Sequence, residues 1–239
     1  RVVLARELSF TEIKEIRDNV KLDLEAFIHG AMCISYSGRC LLSNYFTGRD
    51  ANRGSCAQSC RWKYTLMEEK RPGEYFPVFE DERGTYIFNS KDMCMIEYLP
   101  ELINSGINSF KVEGRMKSVH YVASVINVYR QAIDSYYENS HDYQVKKEWI
   151  EELNKGSHRE YSTGFYLNKT TEKDQIYGNS SYLQTHDFIG LVLDYDENSG
   201  WAVVEQRNNM KTGQEIEIIQ PQKETFNQRL EFMLDDEGN

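Results

Sequence analysis

The chain has 239 residues and a formal net charge of −10, with 40% hydrophobic and 28% charged residues. With 16 Tyr and 11 Phe, that composition excludes disorder along the whole chain and fits one large globular domain or a domain plus a smaller one. No apolar run approaches the roughly 20 residues a bilayer span needs, so no membrane partner is expected, and so acidic a chain is a poor non-specific binder of phosphate backbones.

The N-terminus, Arg1-Val-Val-Leu-Ala-Arg6, has the pattern of neither a signal peptide nor a transit peptide. It lacks an initiator Met and opens on a buried-strand pattern, so it reads as the interior of a longer, cytoplasmic protein. Val2 to Ala5 is the first strand. Ser9 and Glu12 have capping-box spacing, in which hydroxyl and carboxylate satisfy each other's exposed backbone donors. A helix follows to Asn19, with Ile13 and Ile16 inward, and then a strand over Leu22 to Ile28, which completes a βαβ unit.

From Gly30 to Tyr64 the chain breaks into turns rich in Gly, Ser, Asn and Cys. So long a stretch without periodicity points to a functional or ligand-held segment. Strands are expected over Lys63 to Met67 and in a pair over Phe76 to Phe88 that turns at Asp81 to Gly84. Met93 to Ser105 has helical spacing, with Pro100 setting a late start or a kink. Ile107 to Glu113 is a strand. Ser118 to Tyr137 is a long helix with Val122, Val125, Ile126, Tyr129 and Ile133 on its apolar face, and Lys146 to Asn154 is a further helix. Residues 1–167 thus read as an α/β domain and 168–184 as a polar linker. Residues 185–239 read as a small all-β, barrel-like domain opened by a hairpin over Phe188 to Leu193 and Trp201 to Glu205.

All five cysteines, Cys33, Cys40, Cys56, Cys60 and Cys94, lie in the first part of the chain. An odd number in a chain with no sign of secretion argues against a disulfide scaffold. Four thiolates can hold Zn²⁺ or an iron–sulfur cluster, but the spacing matches neither paired zinc knuckles nor a ferredoxin run. Spacing alone therefore leaves metal binding and buried thiols equally open. The surroundings are basic: between His29 and Tyr64 the charged side chains are Arg39, Arg49, Arg53, Arg61 and Lys63 against Asp50 alone.

The pattern Glu25, Phe27, Gly30, Ala31, Met32, Cys33, Gly38, Arg39, Cys40 and Ser43 resembles the signature of the U32 peptidase family. The resemblance continues in Tyr45, Thr47 and Gly48, in Asn52 to Tyr64, in Phe110 to Lys117 and in Arg159 to Tyr166, and so runs through most of the chain. It implies part of a TIM-like barrel whose N-terminal strands are absent here, leaving a sheet edge to be covered. It also implies a [4Fe–4S] cluster on Cys33, Cys40, Cys56 and Cys94, with Cys60 as an alternative to Cys56.

The text after Cys60 is most similar to the branch that makes 5-hydroxyuridine in tRNA with prephenate as co-substrate. The partners implied are tRNA and either a paralogous U32 subunit or the N-terminal half of the barrel. The alternatives are a collagenase-like peptidase and a non-catalytic subunit of a hydroxylation complex. No nucleophile elbow or His-Glu-x-x-His motif supports proteolysis. Candidate catalytic groups are Glu25, Lys111, Glu113 and Arg115, the last three at a strand end, where an ion-pair set is an equal reading. Candidates for RNA or substrate binding are Arg39, Arg49, Arg53, Arg61, Lys63 and Arg159. Trp62 and Tyr64 can stack bases or shield a cluster.

Overall fold

The computed structural model describes residues 1–33, 35–62, 65–66, 76–77, 90–168 and 183–235. In chain order it begins with β1 (Val2–Val3), α1 (Phe10–Asn19), β2 (Leu24–Ala31), α2 (Leu42–Thr47), β3 (Thr65–Leu66), β4 (Phe76–Pro77) and β5 (Asp92–Cys94). Then come α3 (Leu99–Asn104), β6 (Ser109–Val112), α4 (Val119–Glu138), α5 (Lys147–Leu153) and β7 (Tyr161–Ser162). Four strands complete the chain: β8 (Gly190–Asp196), β9 (Trp201–Gln206), β10 (Glu215–Ile218) and β11 (Phe226–Arg229). Two compact units emerge, Arg1–Ser118 with His158–Leu183, and Val119–Ser157 with Gln184–Asn239.

The first unit is built on β2. Its parallel partner β1 comes from the βαβ unit read in the sequence, with Val2 opposite Leu24. Ser9 and Glu12 form the expected capping box, and Ile13 fixes α1 by burial. On the other side of β2 lies parallel β6. Asn108 just before it extends the ladder, its Oδ1 accepting the Leu24 N–H at 3.0 Å. Leu24, Ala26 and Ile28 alternate into the core with Leu99 and Leu102 of α3.

Two short strands were not legible beforehand. β5 runs antiparallel to the end of β2, with His29 opposite Cys94 and Ala31 opposite Asp92, and β7 continues the sheet parallel to β5. Residues 92–94 therefore belong to a strand rather than to the start of the expected helix, which begins only at Leu99 with Pro100 in its first turn. With β5 antiparallel, the sheet is mixed α/β and open, and no closed barrel forms among the described residues.

In the second unit α4 buries Tyr121, Ser124, Val125, Val128, Tyr129 and Ala132, and α5 buries Trp149 and Leu153. Ile126, expected on the apolar face of α4, is exposed. The seam runs through Tyr121, Val125, Val128 and Ala132, so the stripe keeps Val125 and Tyr129 of the expected face but is rotated away from Ile126. β8 pairs with β9 and β10 with β11, both antiparallel. Asp196 Oδ1 accepts the Asn198 N–H at the β8–β9 turn, where Gly200 takes a positive φ of 74°. The β-rich C-terminal stretch consists of two separate ribbons among the described residues. No helix among the described residues is long and apolar enough to cross a membrane.

Candidate metal centre

The cysteine-bearing loops begin where β2 ends, and Gly30 sets the exit. Its φ is +106°, and a Cβ there would lie 2.4 Å from the Glu113 carbonyl oxygen. Only glycine lets β2 press against the end of β6 at this point. The Glu113 N–H closes the contact by donating to the His29 carbonyl at 2.9 Å. Met32 and Cys33 follow directly.

The loop carrying Cys56 is tied back to the Cys40 region by two bonds. Buried Ser43 of α2 accepts the Ala57 N–H at 2.9 Å, and the Asn52 side chain donates to the Cys40 carbonyl at 3.4 Å. Asp50 caps the short 3₁₀ turn Ala51–Arg53, and Cys60 sits in a second one, Ser59–Arg61. These bonds bring the Cys40 and Cys56 stretches of chain together. Cys60 feels the charges of Cys33, Cys40 and Cys56, and Cys33 feels those of Cys40 and Cys56.

The electrostatics run against bare thiolates. Burial pushes the Cys60 thiol up to about 11, and the neighbouring thiols add to the rise while Arg61 opposes it. Cys33 reaches solvent, yet the protein around it still pushes its thiol upward, with Cys40 and Cys56 adding to the effect. Two features favour sulfur as a ligand. The Gln58 N–H donates to Cys56 Sγ at 3.2 Å, and the Ser35 backbone donates to Cys33. Donors of this kind stabilise thiolate charge and tune a bound metal. All five cysteines are free thiols. Among the described residues, no group of three or more His, Cys, Asp or Glu side chains stands in metal-binding geometry. Thiolate sulfur is the donor type that Zn²⁺ and iron–sulfur clusters take. Cys94 lies on β5, opposite His29 of β2.

Beside the thiols lies a buried ionic hub that the sequence did not announce. Asp92, fully buried, meets Arg61 at 2.8 Å and Lys117 at 3.7 Å, and its Oδ2 accepts the Arg159 N–H at 3.2 Å. Burial lowers Lys117 to about 8 despite Asp92, with Arg61 and Arg159 pushing the same way. Arg61 also donates to the Met32 carbonyl at 3.2 Å, one residue before Cys33. Arg61 and Arg159, candidates for RNA or substrate binding, instead have buried side chains. His29 completes this wall. It is fully buried, near Tyr161 at 3.5 Å, and desolvation drives it down to about 3.

The other candidate residues lie near the start of β2, at the end of β6 or on the surface. Glu25 accepts from Ser109 at 2.9 Å and pairs with Arg1 and Lys111; the Ser109 bond holds its carboxyl below the usual range against a small burial penalty. On the order of 20 Å of strand separates it from Ala31. Glu113 pairs with Arg6 at 3.1 Å, and Arg6 stacks 3.8 Å over the Phe27 ring. Lys111, Glu25, Glu113 and Arg6 therefore form an ion-pair layer on one face of the sheet. Arg39, Arg49, Arg53 and Arg115 are exposed. Lys63 and Tyr64 lie outside the described residues.

Two family models match the chain in succession. Residues 1–176 match the model of Peptidase family U32, and residues 184–239 match that of the Peptidase family U32 C-terminal domain. The chain is similar to tRNA hydroxylation protein P1 of Bacillus subtilis, 45% identical over 239 residues, covering 100% of this chain and 56% of the relative. It is similar to an uncharacterized protease of Methanocaldococcus jannaschii, 42% identical over 228 residues, covering 92% and 54%. It is also similar to tRNA hydroxylation protein P of Escherichia coli, 36% identical over 279 residues, covering 100% and 60%. The chain thus spans little more than half the length of these relatives. No solved structure matches it at a significant level.

Proposed function

Because this chain belongs to peptidase family U32, we propose that it is the thiol-bearing part of an iron–sulfur protein that hydroxylates a wobble uridine of tRNA at C5, with prephenate as co-substrate. The observation that supports this reading is the tying of the Cys56 loop to the Cys40 region through Ser43 and Asn52, with Cys33 near enough to feel the charges of both thiols. Similarity to two tRNA hydroxylation proteins over the whole chain supports the same reaction. The open sheet around β2 is the kind of element from which the family's barrel would be completed by strands outside this chain, or by a paralogous subunit.

The cluster ligands are Cys33, Cys40, Cys56 and Cys94, with Cys60 beside them. A [4Fe–4S] cluster bound there would supply electron-transfer chemistry and a Lewis-acidic iron. The residues of the chain hold the surroundings in place. Ser43 and Asn52 fix the loops, Gln58 and Ser35 donate N–H groups to sulfur, and the Asp92 hub fixes Arg61 against the Met32 carbonyl. The reaction takes place in the cytoplasm, where tRNA is.

A peptidase has less support from these side chains. His29, the one histidine next to the cysteine segment, is fully buried and held neutral, and a general base must reach the substrate. The test is deletion of the gene followed by measurement of 5-hydroxyuridine in bulk tRNA. Loss of the nucleoside, restored by the wild-type gene, is expected. An unchanged level would remove this function.

A further inference from the structure

Three aromatic side chains of the cysteine segment stand at the surface instead of in the core. Tyr45 and Phe46 of α2 are 82% and 47% exposed, and Trp62 is 47% exposed. The rings adjoin one another, Tyr45 to Phe46 at 5.2 Å and Phe46 to Trp62 at 6.1 Å between centroids. A contiguous exposed aromatic patch is a contact surface more often than an accident of folding. Shielding of the thiols does not explain Tyr45, which is turned almost wholly to solvent.

Charge identifies the occupant. Arg39, Arg49 and Arg53 are exposed in the same segment. Arg49 follows the Gly48 turn that ends α2, and Arg115 reaches Gly54, its guanidinium 3.8 Å from where a Cβ would stand. Asp50, the one acidic residue between His29 and Tyr64, is occupied in capping the Ala51–Arg53 turn and in pairing with Arg53 at 3.9 Å. In a chain of net charge −10, this is a local excess of cations in the segment that carries the edge-to-face and tilted rings. Arginines beside flat π faces are the chemistry that holds single-stranded nucleic acid, phosphates on the cations and bases on the rings.

We propose that Tyr45, Phe46 and Trp62, flanked by Arg49, Arg53 and Arg115, form a platform on which unpaired nucleotides of RNA stack beside the thiol centre. This deepens the tRNA reading above and rests on it. The platform selects unpaired over paired RNA, because a base inside a duplex has no free face to offer.

The test uses the full-length protein and two probes, a tRNA anticodon stem–loop and a blunt RNA duplex of the same length, with binding read by fluorescence anisotropy. Tyr45→Ala is expected to weaken stem–loop binding about tenfold, as loss of one stacked base predicts, and to leave duplex binding unchanged. Tyr45→Phe retains wild-type affinity. Arg49→Ala with Arg53→Ala weakens both probes and reduces the salt dependence, since lost phosphate contacts act on either RNA. Circular dichroism and iron content should stay at wild-type values in every variant. Wild-type stem–loop affinity in Tyr45→Ala would overturn the platform. So would an unchanged affinity accompanied by altered sedimentation, which would identify a polypeptide as the occupant. If the wild-type protein binds neither RNA and its deletion spares 5-hydroxyuridine, the tRNA reading itself fails. Wild-type binding with Tyr45 indifferent removes only the platform.

Discussion

Replacing Gly30 by alanine tests whether the exit of β2 is built as described. An added Cβ meets the Glu113 carbonyl oxygen at 2.4 Å and the Glu113 Cβ at 2.9 Å. Both partners belong to the chain at the end of β6, so neither yields as a flexible side-chain tip would. The positive φ adds a second penalty of about 1–2 kcal/mol for a residue with a Cβ. Together with the required displacement of backbone, the cost should reach roughly 3–4 kcal/mol, in the range of severe single substitutions. Gly38→Ala serves as the comparison, because Gly38 also has a positive φ, +78°, but nothing lies within 4 Å of the added carbon. It should cost only the conformational part, about 1 kcal/mol. Urea unfolding of the full-length proteins measures both, with the difference expected in the midpoint and not in the slope. Equal destabilisation by the two substitutions would refute the close approach of β2 and β6.

Acid should weaken the protein through His29. Burial lowers its native value from 6.5 to about 3, so the unfolded chain takes up a proton near pH 6.5 that the native state refuses. This contribution is complete above pH 6.5 and is lost as pH falls toward 3, roughly 2–3 kcal/mol of it by pH 4.5. A His29→Gln protein whose urea midpoint falls just as steeply over that range would contradict the assignment. Asp92→Asn removes the carboxylate shared by Arg61 and Lys117 and should cost roughly 3–5 kcal/mol; a thermal unfolding midpoint within a degree or two of wild type would exclude the hub as a structural element. Cysteine-to-serine variants should divide into two groups on iron analysis. Cys33, Cys40, Cys56 and Cys94 each lose most of the metal, and Cys60→Ser keeps it. Retention of iron by Cys56→Ser with loss in Cys60→Ser would put Cys60 in the place of Cys56.

What was legible in the sequence was what neighbours along the chain determine. The Ser9–Glu12 cap, the late helix start imposed by Pro100 and the Asp196–Gly200 turn each depend on residues a few positions apart. β5 and β7 were hidden because strands of three and two residues have no period of their own and exist by virtue of their partners. The Asp92 hub was hidden for a related reason, since its cations Arg61 and Lys117 and the backbone donor of Arg159 lie far away in the chain. The cysteine motif drew attention to the right segment. It did not reveal that Ser43 holds the Cys56 loop, or that Tyr45 and Phe46 turn outward, because both follow from where α2 sits within an apparently irregular stretch.

The most direct measurement is the iron and acid-labile sulfide content of the full-length protein purified without oxygen. About four of each per chain, with a thiolate-to-iron absorption band near 400 nm that the four ligand variants lose, is the expected result. Full-length protein that folds, contains neither element and cannot be reconstituted with iron and sulfide would contradict the thiol centre on which the proposed chemistry depends.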